Sequence, residues 1–423
     1  MAPGSSRLAR AGGRHAHGLH RIPCLAGGDR ALSAAAGWRG LPRGVWALGL
    51  VSLCMDASSE LIHSLLPLFM VTTLGASVEA VGLVEGVAEA AGLVTRPFAG
   101  VLSDRLRRRK ALALAGYGLS ALTKPLFALA GGVGAVLAAR FIDRIGKGIR
   151  GAPRDALVAD LTPEAVRGAA FGLRQTLDTV GATLGPLLAV AAMMALHGHI
   201  RAVFWIAVAP AAAAVAVLGF GVKDAPARRG AAAAAPIRRA DLAELGGAFW
   251  GVAAIAAVLA LARFSEAFLV LRAAGTGFAP TLVPLVPAVM SLSYALSAYP
   301  AGVLSDRIDR RRLIPPGLAV LALADAVLAL TRGPAATLAG VALWGLHMGL
   351  TQGLLSALVA DAVPERLRGT GFGLLSMVSG AGLLVGSVLA GGLWDAVSPA
   401  ATFWAGAGFA ALALLGVAVR RRA

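Results

Sequence analysis

From about residue 45 to its end the chain alternates long apolar runs with short polar breaks. A membrane-spanning helix needs roughly 20 mostly apolar residues, and about twelve runs meet that length. They lie near 45–72, 78–100, 111–130, 133–153, 168–193, 202–221, 246–271, 279–301, 313–331, 335–359, 369–391 and 398–419. The pattern predicts an all-α membrane protein with twelve transmembrane helices. A polar stretch from Lys223 through a polyalanine run to Asp241 separates the sixth run from the seventh. The expected organisation is a basic N-terminal tail at 1–43, six helices at 44–221, a linker at 222–244, six more helices at 245–419 and a short basic tail at 420–423.

Composition strengthens this reading. Residues are 57% hydrophobic and only 14% charged, with 54 glycines, too apolar and glycine-rich for an ordinary soluble enzyme. Small residues suit helices that pack in lipid, where close backbone approach replaces the hydrophobic drive. The net charge of +17 does not point to nucleic acid, because the arginines cluster between apolar runs without interleaved aromatic platforms. They sit instead where the positive-inside rule puts them: Arg105 to Lys110, Arg307 to Arg312, the central linker and Arg420 to Arg422 all fall on one side of a twelve-span chain. Both termini are therefore expected in the cytoplasm, with the protein multi-pass in the inner, cytoplasmic membrane. Cys24 and Cys54 are not expected to pair. Residues 1–43 read as a disordered cytoplasmic tail, an over-extended start or an arginine-rich targeting peptide.

The chain repeats itself. Pro97-Phe-Ala-Gly100-Val-Leu-Ser-Asp104-Arg105 returns as Pro300-Ala-Gly302-Val-Leu-Ser-Asp306-Arg307, with Gly302 standing 202 positions after Gly100. The stretch from Ala156 to Asp160, followed by Pro163, Arg167-Gly168 and Phe171-Gly172, returns 201 positions later, from Ala357 to Asp361 and on through Phe372-Gly373. Two copies of one six-helix unit, separated by one insertion or deletion, account for both offsets.

These residues resemble the major facilitator superfamily. Gly100, Asp104, Arg105 and Arg109, with Gly302, Asp306 and Arg307 in the second copy, are similar to that family's loop motif after the second helix of each half. The resemblance implies a cytoplasmic gate held by charge-assisted bonds. The second glycine of the motif is Arg107 here and Asp309 in the repeat. In the fifth run, Gly172, Gly181, Gly185 and Pro186 resemble the glycine-proline motif of the family's exporters and antiporters, with Ala189-Val190 in place of the closing glycine pair. Arg144, Gly148 and Ala152 resemble the fourth-helix motif of proton-coupled members, with Lys147 where glutamine is usual. The family fold implies two bundles that rock around a central cavity.

Ionisable residues inside a membrane are functional candidates by default, because they are expensive to bury. Asp56, Glu60 and His63 share a face of the first run, and Glu85, Glu89 and Arg96 lie in the second. Arg140, Asp143, Arg144 and Lys147 share a face of the fourth, and Arg174 and Asp178 lie one turn apart in the fifth. At 1.5 Å per residue Asp56, Glu89, Asp143, Arg144 and Arg174 fall roughly 14 to 17 Å from the cytoplasmic ends, and Glu60, Glu85, Arg140 and Asp178 roughly 20 Å or a little more, near the bilayer midplane. In the second half, the counterparts of the last two groups are Val341, Trp344, Gly345, Met348, Leu375 and Ser379, none of them charged. Coupling is therefore expected in the first half, against a mostly apolar wall from the second. Arg150 and Arg154 read as interfacial, Arg263, Ser265, Glu266 and Arg272 as either an outer gate or anchors, and His347 as a packed histidine.

The expected function is secondary active transport. Proton-coupled efflux of a small drug-like solute, organic acid or metabolite by a monomer leads, with protons and the lipid bilayer as partners and no cofactor. Glu60 and His63 also form a Glu-x-x-His pair, which admits an exporter of iron, another divalent metal or a chelate. A non-transporting sensor or scaffold is the weaker alternative. No nucleophile-base set or phosphate loop points to an enzyme.

Overall fold

The computed structural model describes residues 41–106, 108–163, 166–223, 244–307, 310–364 and 367–420. The two basic tails, apart from residues 41–43 and 420, and most of the central linker lie outside the described residues. All regular structure among the described residues is helical. The first half holds α1 (Arg43–His63), α2 (Leu66–Thr72), α3 (Val78–Leu106), α4 (Arg109–Leu129), α5 (Val133–Leu161), α6 (Arg167–Ala195), α7 (Ile200–Ile206) and α8 (Val208–Gly221). The second holds α9 (Gly246–Ala262), α10 (Ala267–Ala274), a 3-10 turn (Pro280–Leu282), α11 (Leu285–Arg307), α12 (Arg310–Leu330), α13 (Pro334–Ala362), α14 (Arg368–Ala396) and α15 (Pro399–Arg420).

Eight stretches among the described residues are long and apolar enough to cross a bilayer, including Arg43–Thr72, Gly246–Ala274 and Arg368–Ala396. Charge keeps α3 and α5 out of that set: each is 29 residues long but carries a row of ionisable side chains. The repeat is visible in helix lengths. Helices α4 and α12 have 21 residues each, α5 and α13 have 29, and α6 and α14 have 29, every pair starting 201 positions apart.

Three expected spans are broken, for local reasons. Pro67 removes the bond that would continue onto the carbonyl of His63, and α1 ends there. Pro210 does the same to Ile206 between α7 and α8. Between α9 and α10 the chain unwinds over Arg263–Glu266 without a proline; the freed Ser265 amide donates to Ser387 Oγ at 3.1 Å. Non-helical backbone at this depth survives where protein or a cavity satisfies it.

Glycine pairs set close crossings in both halves. A Cβ on Gly181 would stand 2.5 Å from the Leu53 carbonyl, and one on Gly185 2.6 Å from that of Ala57, so α6 lies directly on α1. In the second half Gly382 and Gly386 pack equally closely on Ala260 and Leu261 of α9. The halves meet along α3 and α14, along α6 and α11, and where α2 touches α10. There the Glu79 amide donates to Asp395 Oδ2 at 2.8 Å, and one apolar cluster runs from Leu65–Met70 to Phe268–Ala273.

Candidate functional site

Between the halves lies a cavity of about 480 Å³. Its first-half wall is charged: Glu60 and His63 from α1, Glu85 and Glu89 from α3, and Arg140, Arg144 and Lys147 from α5. The second-half wall is aromatic and aliphatic, with Phe264, Met290, Trp344, Met348 and Leu383, and is charged only at the α9–α10 break by Arg263 and Glu266.

Helical spacing puts these groups on facing stripes, and one ion-pair network joins them. Arg140 holds Glu85 in a two-pronged pair, Nε to Oε1 at 3.0 Å and Nη2 to Oε2 at 2.6 Å. Arg140 Nη2 also reaches Glu89 Oε1 at 3.3 Å, and Arg144 Nη2 reaches the same oxygen at 2.6 Å. Arg140 Nη1 lies 2.5 Å from His63 Nε2. A guanidinium only donates, so this nitrogen accepts, and the ring proton sits on Nδ1, 3.6 Å from Glu60 Oε1. Asp143 Oδ2 lies 3.5 Å from that same Nε2. Its other oxygen takes a bond from Lys124 Nζ at 3.0 Å, and Lys124 also donates to Ser59 Oγ at 3.0 Å.

A second chain of charges, away from the cavity lining, occupies the space among α1, α5 and α6. Arg150, almost wholly buried, pairs with Asp56 at 3.6 Å, donates to Ser120 Oγ at 2.8 Å and stacks 4.7 Å from the Tyr117 ring centroid. Arg154 bonds Ser52 Oγ and Asp178, and Arg174 bonds Asp178 Oδ2 at 2.9 Å and faces Asp155 at 3.5 Å. Arg150 and Arg154, expected at the interface, are therefore internal partners, because Asp56 and Asp178 turn inward to meet them.

The ten candidate coupling residues thus divide. Glu60, Glu85, Glu89, Arg140, Arg144 and Lys147 line the cavity, Asp143 stands just behind it, and Asp56, Arg174 and Asp178 belong to the second chain. Among the described residues no group of three or more His, Cys, Asp or Glu side chains is placed to hold a metal ion. Of the loop motif, Arg109 bonds Asp160 of α5 and the Ala156 carbonyl, while the side chains of Asp104, Asp306 and Arg307 lie outside the described residues. An added Cβ would meet nothing within 4 Å at Gly172 or Gly302, and only an ordinary contact with Ala152 at Gly100, in contrast to Gly181 and Gly185. Arg272 donates to the carbonyls of Leu328, Ala329 and Thr331. His347 is packed, its ring bonded to the Gly317 carbonyl at 2.7 Å.

Two central residues escaped the sequence reading, Lys124 and Asp325, both fully buried. Each is a lone ionisable side chain inside an apolar run, and they stand 201 positions apart. That coincidence at the repeat offset is the signal that would have found them.

Comparison with known proteins agrees with the geometry. The family model described as Major Facilitator Superfamily matches residues 48–271 and 248–423. An uncharacterised MFS-type transporter of Methanocaldococcus jannaschii is 31% identical over 379 residues, covering 86% of this chain and 92% of the relative. An uncharacterised protein of Mycobacterium tuberculosis is 31% identical over 385 residues, covering 88% and 92%. Among solved structures, the nucleoside transporter NupG superposes with a TM-score of 0.76 at 13% identity over 89% of this chain and 99% of its own, a likeness of fold. With its repeated helices, its cavity between the halves and these matches over nearly its whole length, the chain belongs to the major facilitator superfamily of membrane transporters.

Proposed function

We propose that this protein is a proton-coupled exporter of a small solute, working by alternating access as a monomer in the cytoplasmic membrane. In this reading about twelve helices span the bilayer as two six-helix bundles, residues 44–221 and 245–419, with both termini cytoplasmic. The conformation is read as inward-facing, since α2 and α10 close the outer ends together.

The observation that carries the proposal is the sharing of His63 Nε2. Arg140 donates to it at 2.5 Å, and Asp143 waits 3.5 Å away. A proton arriving on Nε2 repels Arg140 and turns that nitrogen into a donor for Asp143. Arg140 then depends on Glu85 and Glu89, and its hold on them tightens. A proton on Glu89 instead frees Arg144, which presently reaches its Oε1 at 2.6 Å, to face the cavity. Glu60 and Glu89 are about a quarter exposed, whereas Arg140 and Arg144 are under a tenth exposed, so protons reach the acids while the cations stay fixed behind them. Proton and solute thereby bias one equilibrium from the same wall, which is the requirement for coupling. The lie of α6 on α1 through Gly181 and Gly185 supports the exporter reading, since those glycines belong to the exporter-like motif.

The test is reconstitution in liposomes with an imposed proton gradient and a pH-sensitive dye inside. Organic anions, organic cations and metal chelates are offered in turn. At least one class should drive proton counter-movement, and Glu89→Gln should abolish it in folded protein. Solute movement with no proton movement in the wild type would reject the coupling.

A further inference from the structure

Asp325 and Trp344 form a feature that the first-half network does not use. Asp325 of α12 has no exposed surface, and neither carboxyl oxygen has a hydrogen-bond partner. The indole N–H of Trp344, on α13, faces this carboxyl without reaching good hydrogen-bond geometry and is itself unpartnered. The enclosure is tight: a Cβ on Gly406 of α15 would stand 2.6 Å from Oδ2 and 2.9 Å from the Phe264 ring. Trp344 and Phe264 are cavity wall, so the acid stands directly behind that wall.

The titratable and charged groups near it are few. His347 on α13 is committed to the Gly317 carbonyl, and Arg272 on α10 to three carbonyls at the end of α12. Helix α15 has no ionisable residue before Arg420. Arg263, at the α9–α10 break, lies with its guanidinium 5.9 Å from the Trp344 ring centroid. In the first half the equivalent positions are Lys124 and Asp143, 201 residues earlier, and they form an ion pair at 3.0 Å. The second half keeps the buried ionisable group but replaces its partner with an indole.

An ionised carboxylate buried without a cation or donor carries an effective cost of several kcal/mol, whereas the neutral acid costs far less. We infer that Asp325 is a second proton-binding site, in the second half, which holds its proton in this conformation and yields it when Arg263 leaves the face of Trp344 to pair with the carboxylate. The O–H bond breaks with its electrons remaining on the carboxyl oxygen, the proton passes to cavity water, and Arg263 supplies the balancing charge. Trp344 neighbours both, with Arg263 over its ring and Asp325 off its indole N–H, so the cavity wall rearranges in the same step. The inference rests on reading this cavity as the transport site, and is independent of coupling through His63 and Glu89.

Infrared difference spectroscopy on the full chain in nanodiscs, wild type against Asp325→Asn, tests it. The wild type should show a carboxylic-acid carbonyl band that shifts on deuteration and is lost in the variant; carboxylate bands alone would overturn the inference. Should Asp325→Asn fail to fold, tryptophan emission is titrated with pH in the wild type and in Trp344→Phe. An emission change present in the first and lost in the second supports the site, and pH-independent wild-type emission overturns it. Solute-driven proton movement without an acid band sinks this inference alone. The acid band without such movement sinks the proposed coupling and leaves this site standing.

Discussion

Glu85→Ala probes the centre of the network. It removes both acceptors of the two-pronged pair and leaves Arg140, 3% exposed, with Glu89 Oε1 at 3.3 Å and His63 as its remaining partners. Breaking a buried pair from one side costs about 3–5 kcal/mol, because the other charge stays buried. Glu89 offsets part of this, but it is longer and already held by Arg144 at 2.6 Å, so the expected cost is near the lower end, about 3 kcal/mol. That is roughly a hundredfold in the folding equilibrium. Replacing both members, Glu85→Leu with Arg140→Met, removes the stranded charge and should recover most of the loss, as apolar substitutes of similar volume often do. Reversible unfolding in mixed micelles, followed by helical circular dichroism, reads all the variants of the double-mutant cycle. A coupling of about 0.5–3 kcal/mol is expected. Additive losses, with the double variant as unstable as the sum of the singles, would refute the pairing argument.

Gly185→Val should destabilise the α1–α6 crossing strongly, since even a Cβ there stands 2.6 Å from the Ala57 carbonyl, while Gly172→Ala should be tolerated; thermal melts of the two compare them directly. Lys124→Met leaves the buried Asp143 carboxylate beside the neutral His63 ring without its paired cation, and should lower stability by about 3–5 kcal/mol and abolish proton counter-movement, while a double change with Asp143→Leu should restore stability but not transport. Arg272→Ala strips three carbonyls at the end of α12 of their donor and should cost about 1–3 kcal/mol for each one that water does not reach, seen as faster hydrogen exchange at the start of α13.

Most of the helices were legible because lipid leaves so few choices: long apolar runs mark them. The repeat was legible because its motifs lie in the sequence at nearly one spacing. Pairings were not. Helical period puts Arg140, Asp143, Arg144 and Lys147 on one stripe, but only the rotation of α5 against α1, α3 and α4 decides that Arg140 takes Glu85 and that Asp143 takes Lys124. Arg150 and Arg154 misled for the same reason. Their distance along the helix suggested an interface, while the inward lean of Asp56 and Asp178 makes them internal. The break at Arg263–Glu266 carries no proline or other breaker strong enough to announce it; Ser387 on another helix provides the partner that makes it possible.

The central claim is that the charged wall of the first half couples protons to solute, and Arg144 tests it most directly. It is under a tenth exposed, contacts Glu89 and lines the cavity, so Arg144→Gln removes its charge while keeping a polar side chain. In proteoliposomes carrying a pH-sensitive dye, wild-type protein should move protons when its solute is added, and Arg144→Gln, inserted and folded, should move none. Undiminished proton movement in that variant would contradict the account.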